Sequence, residues 1–170
     1  PGPPPPASAL GYTRGPVNPR TALAPGTRIG PYTLAEELGR GATATVYLAT
    51  DDQGRNFAVK VRRRGQHDMD RRFLREFESM RLLRVPGVVP VYEAGIEDEY
   101  LWFSMERVFG RPFHDMLQDE SYLIARVENV VQVGIKLFDV LADLHDAGYT
   151  HRDVKPSNVL VDQGGDVHVL

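Results

Sequence analysis

The side chains best suited to chemistry lie together in one short segment, His151–Asn158, which reads His-Arg-Asp-Val-Lys-Pro-Ser-Asn. The carboxylate of Asp153 can orient an attacking hydroxyl group and accept its proton. The ammonium of Lys155 can neutralise charge on a phosphoryl group in transfer, and the amide oxygen of Asn158 can bind a metal ion. An acid, a cation and a carboxamide at this spacing therefore indicate phosphoryl transfer.

A second candidate pair joins a strand lysine to a helix glutamate. Lys60 ends the strand-like run Phe-Ala-Val-Lys, and a lysine held among inward-facing strand residues needs a counter-charge. The helical pattern over Asp68–Arg84 offers Glu76 as the partner. Glu78 lies about 200° around the same helix and should face elsewhere. The alternative for Glu76 is a surface charge on an arginine-rich helix.

A glycine-bearing turn lies between the first two predicted strands, within Leu38–Val46 (Leu-Gly-Arg-Gly-Ala-Thr-Ala-Thr-Val). Glycines such as Gly39 and Gly41 let the backbone approach a polyphosphate closely and present N–H donors to it. Taken alone, this Gly-x-Gly pattern is more often an ordinary hairpin than a phosphate site. A phosphate-binding role therefore depends on the motifs that surround it.

The spacing of apolar residues predicts a small sheet followed by helices. Five strands are expected, with one helix inserted among them, and a long helix with Gly148 as its C-terminal cap comes next. After the segment that carries Asp153, a short hairpin crosses Gln163-Gly164-Gly165. The predicted strands are Tyr32–Leu38, Thr45–Ala49, Phe57–Val61, Val88–Ala94 and Tyr100–Met105. The predicted inward stripe of the long helix is Val127, Val130, Val131, Gly134, Phe138, Leu141 and Leu144.

Composition argues against several classes of protein. The chain has 170 residues, a net charge of −3 and no cysteine, so we expect no nucleic-acid partner, no disulfide and no thiolate metal site. No apolar run reaches the roughly 18–20 residues that span a bilayer. The absence of cysteine favours a reducing compartment, and we expect a cytoplasmic location. Proline-rich residues 1–26 are expected to form a disordered linker.

The string His-Arg-Asp-x-x-x-x-Asn resembles the catalytic loop of eukaryotic-like, bacterial-type Ser/Thr protein kinases, and the glycine turn, strand lysine and helix glutamate stand in the family's order. The resemblance implies an α+β protein-kinase-like fold, with a five-stranded antiparallel N-lobe carrying one helix and the beginning of a helical C-lobe. It also implies an enzyme that uses ATP and Mg²⁺ to phosphorylate a Ser/Thr hydroxyl of a protein substrate. It makes Asp153 the general base, Lys155 the cation on the γ-phosphate and Asn158 a Mg²⁺ ligand. It makes Lys60 and Glu76 the ion pair that aligns the α- and β-phosphates.

The resemblance also predicts residues around the nucleotide. Met105 takes the gatekeeper position, while the backbone carbonyl of Glu106 and the N–H of Val108 face the adenine edge. Asp115 faces the ribose. The full set of predicted nucleotide-binding residues is Leu38, Gly39, Gly41, Val46, Ala58, Lys60, Met105, Glu106, Val108, Asn158 and Leu160.

Parts of the family pattern are missing from these residues. Ala44 stands where the family places a third glycine, and the Asp-Phe-Gly motif would begin only after Leu170. We therefore expect an N-lobe with its hinge at 27–108, an incomplete C-lobe at 109–170, flanking domains beyond both ends, and negligible phosphoryl transfer by these residues alone. The alternatives are a pseudokinase or nucleotide-binding regulatory module and, less favoured because of Lys155-Pro156, a small-molecule phosphotransferase of kinase-like fold.

Overall fold

The chain forms two units in the computed structural model, which describes residues 23–119 and 126–170. The sheet unit contains the described residues up to Leu83 together with Pro90–Arg107. The helical unit contains Arg84–Val89 and the described residues from Val108 onward. Most of the proline-rich segment predicted as a linker lies outside the described residues. Among those described, no helix combines the length and the apolar character that crossing a membrane requires.

The sheet unit is built on an antiparallel sheet with the strand order β1-β2-β3-β4-β6-β5. All five predicted strands are present, and a further strand of two residues, β1, pairs with the edge of β2. The strands are β1 Arg28–Ile29, β2 Tyr32–Arg40, β3 Thr45–Thr50, β4 Asn56–Arg63, β5 Val91–Glu97 and β6 Tyr100–Glu106.

Strand periodicity builds the core of the sheet unit. Buried and half-buried residues alternate along β3, as they do in a strand with one covered face. Trp102 lies against two glycines, because a Cβ atom at Gly30 or Gly95 would come within 2.3 or 2.6 Å of its indole ring. These glycines therefore leave the space that the largest core side chain occupies. The buried cluster is Ile29, Tyr32, Leu34, Tyr47, Ala49, Val59, Val61 and Trp102.

Helix α1, His67–Met80, packs on the sheet through two phenylalanines. Phe73 and Phe77 are buried, and their ring centroids lie 5.0 and 5.9 Å from that of Phe103 on β6. The sequence predicts a helix that continues to Arg84, but the helix ends four residues earlier. Leu83, the last apolar residue of the predicted helical pattern, is only half-buried and its neighbour Leu82 is exposed, so burial gives little support to another helical turn there.

The described residues of the helical unit form two helices and a small second sheet. The antiparallel strand order is β7-β8-β9, and the predicted hairpin is the pair β8 and β9. Its turn is closed by Asp162, whose Oδ1 accepts hydrogen bonds of 2.9 Å from the N–H groups of Gly164 and Asp166. The elements are β7 Gly110–Pro112, α2 Phe113–Gln118, α3 Arg126–Asp146, a 3₁₀ turn Pro156–Asn158, β8 Val159–Asp162 and β9 Val167–Val169.

The buried face of α3 agrees with the predicted one at Leu144 but differs at other positions. Val133 and Leu144 are buried, and Leu137 and Val140 pack against the cluster that contains β8 and β9. Two residues of the predicted inward stripe, Val131 and Phe138, are exposed together with Ile135, while the side chain of Val127 lies outside the described residues. The helix is apolar on two faces, and periodicity alone does not show which of them meets the hairpin.

Gly148 ends α3 as predicted. Its φ is +83°, its N–H donates to the carbonyl of His145 (2.8 Å), and the N–H of Tyr149 donates to the carbonyl of Leu144 (3.0 Å). These two bonds are those of a Schellman motif, which satisfies the last helical carbonyls and turns the chain sharply. The turn delivers the chain directly into His151–Asn158.

The predicted strand Val88–Ala94 begins later, at Val91, because its first residues pair elsewhere. The N–H of Val89 donates to the carbonyl of Val169 (3.0 Å), and the N–H of Val169 donates to the carbonyl of Gly87 (2.7 Å). Residues 87–89 therefore extend the small sheet of the helical unit. A run of valines predicts a strand but does not identify its partner.

Replacing Gly87 by alanine is expected to lower the free energy of unfolding by about 2–4 kcal/mol. The new Cβ would lie 2.3 Å from Val140 Cγ2 and 3.1 Å from the carbonyl oxygen of Val167, at a φ of +78°. Gly134→Ala is the matched control, since no heavy atom of the described residues lies within 4 Å of a Cβ there. It should stabilise α3 by roughly 0.5–1 kcal/mol. Urea unfolding of both variants checks the pair, and equal effects would contradict the packing described for Gly87.

Candidate active site

The segment His151–Asn158 is tied at both ends to the residue that follows β9. Its last residues form the 3₁₀ turn, in which the N–H of Asn158 donates to the carbonyl of Lys155 (2.9 Å). The N–H of Leu170 donates to the carbonyl of Asn158 (2.9 Å), and His151 Nε2 lies 2.8 Å from the carbonyl oxygen of Leu170. The hairpin therefore fixes the shape of the segment.

The three side chains predicted to act together in this segment are in contact. Lys155 Nζ donates to Asp153 Oδ2 at 2.7 Å. Asn158 Nδ2 donates to the same oxygen and to the backbone carbonyl of Asp153, each at 2.9 Å. The hydrogen bond from Lys155 is the main cause that lowers the pKa of Asp153 below its ordinary value, and the hydrogen bond from Asn158 adds to it. Desolvation opposes both but is outweighed. The exposed carboxylate is thus ionised at neutral pH and can accept a hydrogen bond from a hydroxyl group.

The imidazole of His151 accepts a hydrogen bond from the backbone of Asp153. The N–H of Asp153 lies 3.3 Å from His151 Nδ1, so that nitrogen is the acceptor and Nε2 carries the proton that reaches the carbonyl of Leu170. Between them, Arg152 has a φ of +66°, a left-handed conformation that is strained for a residue with a Cβ. Backbone strain is thus placed directly beside the candidate base.

In the sheet unit, Lys60 is paired with Glu76. Lys60 Nζ lies 2.5 Å from Glu76 Oε1 and 5.5 Å from the ring centroid of Phe103, so the ammonium has a carboxylate and an aromatic face as partners. Glu78, the alternative partner, instead pairs with Arg81 at 2.8 Å. The lysine and the glutamate come from a strand and a helix that Phe103 packs together.

The glycine-bearing turn joins β2 to β3. Gly39 is the register partner of Val46, beside an irregularity in the pairing of the two strands. The N–H of Gly41 donates to the carbonyl of Ala44 (2.9 Å), which closes the turn. The residue in the position of the third glycine thus contributes its backbone to the turn.

Gly41→Ala is expected to leave the free energy of unfolding unchanged within about 0.5 kcal/mol. A Cβ at Gly41 would meet only the carbonyl oxygen of Ala44, at an ordinary 3.6 Å. If the turn receives phosphates, the methyl group will meet them instead, and we expect nucleotide affinity to fall about tenfold. Competition with a fluorescent ATP analogue measures the affinity. Ala44→Gly is the control and should bind at least as well, whereas unchanged binding by Gly41→Ala would remove the turn from the site.

Four of the predicted nucleotide-binding residues of the sheet unit share one face of the sheet. Val46 is the register partner of Lys60, and Ala58 is the register partner of Met105. Because cross-strand partners and residues two apart on a strand face the same side, these four side chains lie on one face. Leu38, Ala58 and Met105 are buried and Val46 is half-buried.

The remaining predicted residues lie at the end of β6 and in the helical unit. Glu106 is exposed, its N–H donates to the carbonyl of Pro90 (2.9 Å), and Val108 is buried two residues further on. Leu160 is buried on β8, where it pairs with Pro112 and His168. The structure therefore forms two groups, one around Lys60 and Glu76 and one around Asp153, each within its own unit.

Asp115 on α2, predicted to face the ribose, is a buried acid. Among the described residues, its Oδ2 accepts no hydrogen bond. Burial raises the pKa of Asp115, and the positive charges of His114 and Arg111 lower it by less. The folded state therefore holds the proton of this carboxyl more tightly than the unfolded state does.

Asp115→Asn is expected to be more stable than the unmodified protein at pH 7, with the difference closing as the pH falls toward about 4. Because the pKa of Asp115 is raised in the folded state, ionisation of this carboxyl as the pH rises lowers the free energy of unfolding. Asparagine does not ionise, so the variant keeps that stability at pH 7. Urea unfolding from pH 4 to 7 measures the difference, and a constant offset would contradict this account.

The described residues offer limited metal ligation. Within 23–119 and 126–170, no three His, Asp or Glu side chains converge on one point. Both hydrogen bonds of the Asn158 side chain described above use its nitrogen, which leaves the amide oxygen, a donor type that Mg²⁺ accepts, available. In donor chemistry, the amide oxygen of Asn158 is thus compatible with Mg²⁺.

One polar residue near the site was not predicted. Arg62, two residues beyond Lys60 on β4, is buried and donates to both the glycine-bearing turn and α1. The alternation of β4 places Arg62 on the same face as Lys60, and this signal was available from the sequence. Its partners lie 19 and 8 residues away along the chain, and only the fold brings them together.

Comparison with known proteins agrees with this geometry. Residues 32–170 match the protein kinase domain family. The chain is 34% identical over 151 residues to a probable serine/threonine-protein kinase of Streptomyces coelicolor, covering 83% of this chain and 22% of that protein. It is 38% identical over 150 residues to the DNA damage-responsive serine/threonine-protein kinase RqkA of Deinococcus radiodurans, covering 84% and 22%. The chain thus spans about a fifth of the length of these two relatives.

Solved structures give the same fold. The kinase domain of PknI from Mycobacterium tuberculosis superposes with a TM-score of 0.68 at 29% identity, covering 87% of this chain and 60% of that one. PpkA-294 in its apo form gives a TM-score of 0.75 at 20% identity, covering 88% and 60%, and this likeness concerns the fold alone. The sheet with α1 packed on it and the start of a helical part are those of a kinase fold. With a family match across most of its length, the chain belongs to the protein kinase domain family.

Proposed function

We propose that the protein containing these residues transfers the γ-phosphoryl group of ATP to a serine or threonine hydroxyl of a protein substrate. The observation that carries the proposal is the contact of both Lys155 and Asn158 with one carboxylate oxygen of Asp153. This arrangement keeps the acid ionised and sets a cation and a side-chain amide group beside it. The relatives are serine/threonine kinases, which supports the same chemistry.

The residues of the helical unit would act on the reacting groups. Asp153 would accept a hydrogen bond from the substrate hydroxyl and take its proton as the phosphoryl group moves. Lys155, now paired with Asp153, would turn its charge to the γ-phosphate. Asn158 would hold Mg²⁺ through its amide oxygen, and the bound ion would supply charge neutralisation for the phosphates. Lys155, two residues after Asp153, resembles the Ser/Thr-kinase version of this loop and so favours a Ser/Thr acceptor over tyrosine.

The residues of the sheet unit would hold the nucleotide. Lys60, fixed by Glu76, would bind the α- and β-phosphates, and Gly39 and Gly41 would allow backbone N–H groups to approach them. The adenine would contact the apolar residues and the end of β6, and Asp115 the ribose. The division into an N-lobe at 27–108 and an incomplete C-lobe at 109–170, and the cytoplasmic location, stay predictions. The predicted adenine contacts are Leu38, Val46, Ala58, Met105, Glu106, Val108 and Leu160.

The experiment is a phosphorylation assay on the full-length protein that contains these residues. The protein is incubated with γ-labelled ATP, Mg²⁺ and a generic protein acceptor, and the labelled amino acids are identified. We expect label on serine or threonine. Label found only on a small molecule would show a phosphotransferase of another class instead. Residues 1–170 alone are expected to transfer negligible label and to bind nucleotide weakly, and transfer at the rate of the full-length protein would contradict this.

Ala44 keeps one alternative open. Because alanine replaces the third glycine of the turn and no three His, Asp or Glu side chains converge among the described residues, a nucleotide-binding pseudokinase is the second candidate. It predicts saturable binding of an ATP analogue with no transfer above the level of an Asp153→Asn control. The two functions therefore differ in one assay on one sample.

A further inference from the structure

Arg62 joins three separate parts of the sheet unit through one guanidinium group. Its side chain is 5% exposed, so its charge requires partners inside the protein. Nε donates to Asp70 Oδ1 at 3.0 Å, one terminal nitrogen donates to the carbonyl of Thr43 at 2.9 Å, and the other lies 3.4 Å from Gln66 Oε1. All three guanidinium nitrogens are therefore engaged.

The partners of Arg62 belong to elements on which the proposed function depends. Thr43 lies in the glycine-bearing turn, beside Ala44. Gln66 precedes α1 and makes no side-chain capping bond, and Asp70 lies in the first turn of that helix. Asp70 also accepts a hydrogen bond from the N–H of Gly65 (3.1 Å), which fixes its carboxylate. One buried arginine thus connects the turn to the helix that carries Glu76.

The same strand holds α1 at two points. Lys60 reaches Glu76 in the middle of the helix, and Arg62 reaches Asp70 at its start. Two ionic contacts along one helix restrain its position and its rotation together. The contact with Thr43 extends this restraint to the turn, because the planar fork of arginine offers donors in several directions at once.

We propose that Arg62 is a positioning residue that couples the conformation of the glycine-bearing turn to the position of α1. This inference rests on the proposed function, because the coupling would set how the turn contacts the nucleotide while Lys60 and Glu76 are paired. Nucleotide binding then favours the paired position of α1, and the paired position favours binding, by the reciprocity of linked equilibria. In this chain the side chain of Arg62 restrains the turn at Thr43, next to Ala44, which stands in the place of a glycine.

The test compares Arg62→Lys and Arg62→Met with Arg63→Met in the full-length protein. Arg63 is the neighbouring arginine, 50% exposed, and pairs with Glu99 at 2.6 Å on the surface, so it controls for the loss of an arginine ion pair from β4. Lysine at position 62 can still pair with Asp70 but cannot also reach Thr43. Hydrogen exchange is measured for residues 41–45 and for α1 without nucleotide, and kcat and KM for ATP are then determined.

We expect Arg62→Lys to raise amide exchange in residues 41–45 while α1 stays protected, and to raise KM for ATP about tenfold with kcat changed less than about threefold. Arg62→Met should raise exchange in both elements, and Arg63→Met in neither. Unchanged exchange of the turn in Arg62→Lys, or equal changes in Arg63→Met, would overturn the proposal. Exchange is measured without catalysis, so a protein that transfers no phosphate but shows the predicted exchange would refute the kinase function and leave the coupling supported.

Discussion

Asp153→Asn is expected to lower kcat of the full-length protein by about 10²–10⁴-fold, with KM for ATP changed little. The amide cannot accept a proton from the substrate hydroxyl, and it removes the carboxylate that Lys155 and Asn158 contact at 2.7 and 2.9 Å. The side chain is exposed, so the free energy of unfolding should change by less than about 1 kcal/mol. Loss of rate with retained stability and ATP affinity is the pattern of a group that acts in the reaction itself.

The matched control for Asp153→Asn is Asp166→Asn. Asp166 is also an exposed acid of the helical unit, and it pairs with Lys136 at 2.8 Å, much as Asp153 pairs with Lys155. The control removes an equivalent ion pair with no predicted role in transfer, so its kcat should stay within about twofold. Steady-state kinetics at saturating ATP and acceptor measure both variants. Equal losses in the two would show that the effect comes from the helical unit's stability.

Lys60→Met is expected to reduce kcat/KM for ATP by about 10²–10³-fold while leaving the free energy of unfolding within about 1 kcal/mol of the unmodified protein. The side chains of Lys60 and Glu76 are 25% and 40% exposed, so water screens their ion pair and its contribution to folding is small. Its contribution to binding a polyphosphate is larger, because the lysine supplies a fixed positive charge to a dianionic group.

Glu76→Gln and the double variant show whether the pair acts as one unit. Glutamine holds Lys60 less firmly, and we expect a smaller loss in kcat/KM than in Lys60→Met. The double variant should be no worse than Lys60→Met alone, because Glu76 acts through the lysine. Lys136→Met is the control for the loss of an exposed lysine that pairs with an acid. Additive losses in the double variant, or a large loss of stability in Lys60→Met, would contradict the positioning role of Glu76.

The sequence predicts the strands of the sheet unit well because their pattern is local. Along β3, buried and half-buried residues alternate, which indicates a strand with one covered face. The contact of Lys60 with Glu76 was also predictable, since a strand lysine needs a partner and helix geometry turns Glu78 away. The end of α3 at Gly148 was also predictable, because glycine readily adopts the left-handed backbone conformation that commonly ends a helix.

Features that depend on distant partners were not predictable in the same way. The sequence predicts Val88 and Val89 as the start of β5. In the structure, however, both pair with Val169, which lies 80 residues after Val89. The face of α3 that is buried depends on where the hairpin lies, because Val131 and Phe138 are as apolar as Val133 and Val140. Arg62 looked like one of several arginines, and its role becomes visible only when Thr43 and Asp70 lie beside it.

The measurement that tests the central claim most directly is a single-turnover assay with the full-length protein in excess over γ-labelled ATP. The rate of label transfer to serine or threonine is compared among the unmodified protein, Asp153→Asn and Asp166→Asn, which removes product release and nucleotide recycling from the comparison. The account predicts transfer to a protein hydroxyl by the unmodified protein and by Asp166→Asn at similar rates, and a loss of about 10²-fold or more in Asp153→Asn. Transfer by Asp153→Asn at the unmodified rate would contradict the assignment of Asp153 as the base.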